Sequence, residues 1–149
     1  MMTTRNYLLS TIITGGLVLL GGSNIKAQSK SHVDSAITRK VFEHHMMAFR
    51  KGDVDETLKD YAEDAVIIVE GVNAKGYVKG LKEIREQFER TYKDYFPPAV
   101  VATLKVKTVT IVGEVAYLTW ETSKTDFTTD TYIVRDGKIV AQTFAAKLK

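Results

Sequence analysis

Two residues combine reactive chemistry with positions that ask for a reason: His45 and Asp130. An imidazole can take or give a proton near neutral pH, and a neighbouring carboxylate fixes its tautomer and raises its basicity. At the 3.6-residue period of a helix, Ile37, Val41, Ala48, Phe49, Phe42 and Met46 share one arc. His45 falls about 80° round from Ile37, close to the centre of that arc. His44 falls on its edge, and His32 belongs to a polar stretch further upstream. Asp130 lies in Thr128-Thr129-Asp130-Thr131-Tyr132, where alternation puts it on one face with Tyr132 and Val134. Aspartate is disfavoured inside strands, so an aspartate there is a local inconsistency of the kind functional sites produce. Each residue also has a plainer reading. His45 can be a core histidine satisfied by a backbone carbonyl and a hydroxyl, and Asp130 can sit in a turn before a strand that begins at Thr131. A metal site would need a third ligand that the spacing does not supply, so neither metal nor cofactor is expected.

The elements that must hold these residues follow from periodicity. A first helix spans about residues 35–51, Gly52 ends it, and Asp53 caps a second, with Glu56 three residues on. Leu58 and Tyr61 form the apolar side of that second helix. Ala65-Val66-Ile67-Ile68-Val69 is a continuous apolar run, read as a short strand with both faces covered. A glycine-containing loop with a short strand near Tyr77-Val78 leads to a third helix. That helix carries Leu81, Ile84, Phe88 and Tyr92 or Tyr95 on one side, and Pro97-Pro98 ends it. Alternation then replaces the helical period, with strands expected at 100–111, 115–123, 128–134 and 138–147. Gly113 and Asp136-Gly137 mark hairpin turns. Helices first and antiparallel strands afterwards argue for an α+β domain with helices packed on one face of the sheet.

The first 27 residues have the layout of a secretory signal peptide. Arg5 precedes an apolar run from Tyr7 to Leu20, and Ile25-Lys26-Ala27 offers a cleavage site. The run is shorter than the roughly 20 residues of a membrane span. Cleavage after Ala27 is expected, with a secreted or periplasmic product, a polar flexible arm at 28–34 and a domain at 35–149. The whole chain carries 21 basic and 18 acidic residues. Arg5 and Lys26 fall in the leader and no acid does, leaving 19 against 18, a net charge of +1. That balance offers no support for nucleic-acid binding, which would want a clustered basic face, and no membrane association is expected once the leader is gone. With no cysteine, thiolate catalysis and disulfides are excluded.

Helix–Gly52-Asp53–helix–Tyr61-Ala62-Glu63-Asp64-Ala65, a helix after Lys79-Gly80, and the closing Thr131–Ile139 hairpin resemble the nuclear transport factor 2-like superfamily. Within it, the chain is most similar to small SnoaL-like domains related to ketosteroid isomerase. The resemblance implies three N-terminal helices packed on a strongly curved, mainly antiparallel sheet, a cone enclosing an apolar pocket. It also implies a tendency to homodimerise. It does not imply one activity, because the superfamily holds isomerases, cyclases, dehydratases and proteins without chemistry.

Counting back from Gly52, the resemblance puts His45 where the isomerase has its donor tyrosine. Asp130 takes the place of the protonated aspartate, and Val69 stands where the base belongs. Valine cannot accept a proton, so the ketosteroid isomerase reaction itself is not expected. What remains is a pocket for a small, mostly apolar molecule, with His45 and Asp130 as candidates for cofactor-independent acid–base chemistry. Tyr61, Val69, Phe88, Tyr92, Trp120, Tyr132, Gln142 and Phe144 are the expected lining. A non-catalytic carrier and a dimeric interaction module are the alternatives.

Overall fold

The structure, a computed structural model, describes residues 35–71 and 76–149. The expected leader and arm lie outside the described residues. Helix α1 (Ser35–Lys51) is followed by α2 (Val54–Leu58), β1 (Tyr61–Glu70), β2 (Tyr77–Lys79) and α3 (Gly80–Arg90). A π-helical turn at Thr91–Tyr95 extends α3, and α4 (Pro98–Val101) leads into β3 (Lys105–Val112), β4 (Val115–Thr122), β5 (Thr125–Arg135) and β6 (Lys138–Leu148). The strands form one curved, mixed sheet in the order β2-β1-β6-β5-β4-β3. Among the described residues, the β1–β6 pairing is parallel and the others are antiparallel. The α+β class and the mainly antiparallel sheet are as expected.

Turn chemistry sets the corners. Gly52 takes φ +69° and closes α1, and Asp53 accepts a hydrogen bond from the Glu56 amide at the start of α2. Asp136 and Gly137 both have positive φ, which the two-residue β5–β6 hairpin requires. The start of α1 is tied to the β3–β4 turn, because Thr38 Oγ1 donates to the Gly113 carbonyl and the Gly113 amide donates to Ser35 Oγ. That double tie aims the apolar arc of α1 across the concave face of the sheet.

Four expectations change. Tyr61 opens β1 instead of closing α2, because the Ile139 amide donates to the Asp60 carbonyl and pairs this point with β6. The register then slips before Val66, so residues 62–65 form an irregular stretch ahead of the regular ladder. The apolar run of β1 is covered on one face only: Ala65, Ile67 and Val69 are buried, while Ile68 is 54% exposed. Val100 belongs to α4 rather than to a strand, since the amides after Pro97-Pro98 bond to the Pro97 and Pro98 carbonyls. Among the described residues the helices also number one more than the three expected, through this short α4.

The core lies between the helices and the concave face of the sheet. It joins Phe42, Phe49 and Val41 of α1 to Ile84 and Phe88 of α3, Phe96, and inward residues of every strand from β4 to β6. Edge-to-face ring contacts run through it, for example Phe42 on Tyr132 and Phe49 on Trp120.

Candidate functional site

The centre of the α1 arc delivers His45 into this core, where it is 1% exposed. Its ring sits edge-on to Tyr132, Tyr61 and Phe88, with centroids 5.1, 5.4 and 6.1 Å away. No backbone carbonyl satisfies its Nδ1, which has no hydrogen-bond partner among the described residues. Across from it, Asp130 stands inside β5, paired with Leu118 of β4 and Phe144 of β6. The strand alternation was therefore the right guide, and the turn reading fails.

Asp130 is 3% exposed and fully engaged as an acceptor. Trp120 Nε1 donates to Oδ2 at 2.7 Å, and Gln142 Nε2 donates to Oδ1 at 2.7 Å. The Tyr61 hydroxyl donates in turn to Gln142 Oε1, orienting the amide so that its NH₂ faces the carboxylate. Burial pushes the Asp130 pKa up to about 6. The Trp120 and Gln142 donors, the charge of His45 and the Tyr132 hydroxyl pull in the other direction, so burial outweighs four stabilising contacts. Burial also holds the hydroxyls of Tyr61 and Tyr132 well above the ordinary range, which keeps both as neutral donors.

His45 and Asp130 line one cavity, together with Val69, Phe88, Trp120, Tyr132, Gln142 and Phe144. The free volume of the cavity is about 40 Å³, well below the few hundred Å³ of small-molecule sites, because its own aromatic side chains fill most of the space between its walls. Two expected lining residues do not reach the wall. Tyr61 backs it through Gln142, and Tyr92 stacks on Phe88 with its hydroxyl donating to the Phe49 carbonyl. Val69 is on the wall, and no carboxylate replaces it, because Glu70 faces outward and is exposed.

The sequence reading missed Met46, Phe49, Ile67, Gln87, Thr91 and Phe96, which complete the lining. Phe96 follows the π-helical turn, beyond the helical face on which the sequence reading placed Phe88. It also missed Asp60, in the link between α2 and β1, which approaches both neighbouring histidines. His44 Nδ1 lies 2.8 and 3.0 Å from the two Asp60 oxygens, and His45 Nδ1 lies 3.7 Å from Oδ2. His44 Nε2 meets Glu56 Oε1 at 3.1 Å. Hydrogen bonding to Asp60 raises the His44 pKa above the usual histidine value, against a smaller opposing effect of burial.

A family model described as a SnoaL-like domain matches residues 42–142. No curated protein matches the chain. Among solved structures, an NTF2-like protein of unknown function from Mesorhizobium loti is 18% identical, with a TM-score of 0.63 over 76% of this chain and 93% of that one. SalBIII, an epoxide hydrolase/cyclase-like enzyme of pyran ring formation in the polyether salinomycin, is 16% identical, with a TM-score of 0.59 over 76% and 93%. A de novo designed protein with a curved β-sheet is as similar in shape, at 17% identity and a TM-score of 0.61 over 76% and 88%. A fold shared by an enzyme and a designed scaffold carries no activity with it. The matched span covers most of the chain and the architecture is NTF2-like, so the chain belongs to the SnoaL-like domain family.

Proposed function

We propose that this SnoaL-like domain binds a small, mostly apolar molecule in the cavity and acts on it by cofactor-independent acid–base chemistry. The observation that carries this reading is a buried carboxyl, Asp130, with its pKa pushed up to about 6, on the same apolar wall as a histidine whose Nδ1 is unpartnered. His45 is the base. With Nδ1 turned toward Asp60, Nε2 is the nitrogen left to take a proton from a bound molecule. The imidazolium that forms is stabilised by the Asp130 carboxylate in a water-poor site. Once protonated, Asp130 keeps its Trp120 and Gln142 donors and has a proton of its own to offer. That is the acid half of an isomerisation, cyclisation or dehydration. The absence of a carboxylate at Val69 sets this apart from the isomerase arrangement. The test is mass spectrometry of small molecules released on denaturing protein purified from its native host. A stoichiometric apolar compound is expected, and repeatedly empty protein overturns the reading.

The domain is proposed to act as a homodimer, through the convex face of the sheet. Ile68, Tyr77, Val112, Val115 and Tyr117 are exposed there, in a field of threonines and alanines. The continuous apolar run of β1 makes sense if a second copy covers its outer face. Five long strands about 4.8 Å apart and roughly eight residues long present roughly 650 Å² in projection, close to the ~800 Å² per partner of a standard interface. Light scattering is expected to give twice the chain mass, and Tyr117→Lys to halve it. A monomeric parent protein rules the dimer out. The export expectation also stands as a proposal. N-terminal sequencing of the exported protein should begin at Gln28.

A further inference from the structure

The pocket mechanism leaves one group of side chains unused. His44, Asp60 and Glu56 lie behind His45 on the side away from Asp130's network, and they form a graded series in exposure. The His45 side chain is 2% exposed, Asp60 9%, His44 33% and Glu56 35%. A buried aspartate placed against two adjacent histidines is not needed to close the fold, since the Asp60 backbone carbonyl already makes the pairing with Ile139.

We propose that Asp60 and His44 form a proton relay joining His45 to solvent, with Asp60 also holding the His45 tautomer. The inference rests on the reading of His45 as the pocket base. The atoms are in order along the path. His45 Nδ1 is 3.7 Å from Asp60 Oδ2, Asp60 Oδ1 is 2.8 Å from His44 Nδ1, and His44 Nε2 is 3.1 Å from Glu56 Oε1 at the surface. The first gap is longer than a hydrogen bond, and such contacts tighten in a loaded site. Among the described residues nothing else competes for that Nδ1, which is without a hydrogen bond there.

One proton enters and one leaves overall. As His45 Nε2 takes a proton from the bound molecule, its Nδ1–H passes to Asp60 Oδ2. Asp60, now neutral, no longer holds the His44 imidazolium charged, and His44 keeps its Nδ1–H and releases its Nε2–H to Glu56 or water. His45 is left neutral with its proton on Nε2, and the reverse sequence resets the three groups. A base in a closed pocket otherwise keeps the proton until the mouth opens. Two carboxylates therefore flank His45 in different roles. Asp130 faces the cavity, while Asp60 leads out of it.

The charged and titratable neighbours are few. Around His44 stand Asp60 and Glu56, the latter paired with Lys59. Around His45 stand Asp60, Tyr61, Tyr132 and Asp130. The test is a pH titration of the histidine ring nitrogens by nitrogen-15 NMR on the purified protein, with His44→Gln and His45→Gln to assign signals. It needs no ligand, so it reports on the relay whether or not the pocket proves to hold a substrate.

At high pH, His45 is expected as the Nδ1–H tautomer, and its Nδ1 signal is expected to show an inflection at the pH where His44 titrates. That inflection should be lost in His44→Gln and in Asp60→Asn. In Asp60→Asn the His44 midpoint should also fall, because the charge that raises it is gone. His44 is on the rim, so His44→Gln keeps the test usable if Asp60→Asn does not fold. A wild-type His45 protonated on Nε2 overturns the relay. An Nδ1 signal that ignores the His44 titration overturns it equally.

Discussion

Replacing Asp130 with asparagine removes a buried charge and keeps the shape of the side chain. In the wild type, burial raises this carboxyl from 3.8 to about 6. A shift of about two units corresponds to roughly 3 kcal/mol, at about 1.4 kcal/mol per unit. The sign follows from which state holds the proton. Between the unfolded and folded values the native state binds more protons, so stability falls as pH rises from about 4 to about 6 and is level above that. Asparagine has no such slope. One amide hydrogen bond changes with it, because the Asn NH₂ meets the NH₂ of Gln142 unless Gln142 turns over and gives up the Tyr61 bond. That conflict costs ~1–2 kcal/mol at every pH and moves the curve without tilting it. The raised pKa of His44 also makes stability fall as pH rises, through a higher window, but it is common to both proteins and cancels. Urea unfolding of both proteins should show the wild-type minus variant difference dropping by about 3 kcal/mol between pH about 4 and about 7. A flat difference, or one that rises with pH, refutes the account of Asp130 as a carboxyl held above its ordinary range by burial.

Three further outcomes follow from the same geometry. Trp120→Phe removes the donor to Asp130 Oδ2, and should cost about 1–3 kcal/mol and move the slope just described to higher pH, read by the same unfolding series. Phe96→Ala, at a position with 0% exposure on the cavity wall, should destabilise by about 3–5 kcal/mol, and calorimetry should show benzene or xenon recovering part of that loss. Gly71→Ala should be among the most damaging single-methyl changes, because a Cβ there would lie 1.9 Å from the Ala146 carbonyl oxygen at φ +79°. It is expected to cost more than about 2 kcal/mol in thermal unfolding, and a variant within about 0.5 kcal/mol of wild type would contradict the close approach of β1 to β6.

How far the site could be read in advance depended on whether one element was enough. The phase of α1 put His45 at the centre of the buried arc, and alternation put Asp130 with Tyr132 on the inner face of β5. Both are repeats along one segment. The covering of β1 was misread, because an apolar run reports that a face wants to be buried and not what buries it; Ile68 remains outside in the single chain. Tyr61 was misplaced because the α2–β1 link gains its strand pairing from Ile139, 78 residues away.

Local sequence therefore determined the class of fold, its turns and the inward placing of His45 and Asp130, since those depend on side-chain period and on backbone torsions of a few neighbouring residues. Tertiary structure alone decided what those residues meet. The Trp120–Asp130–Gln142–Tyr61 chain exists because the registers of β4 with β5, β5 with β6 and β6 with β1 bring four strands' side chains to one point. The approach of Asp60 to His44 and His45 exists because α1 packs beside the start of β1. Register and packing angle are properties of pairs of elements, and no single segment encodes them. That is why His45 was visible from its own helix while Asp60, the carboxylate nearest its Nδ1, was not.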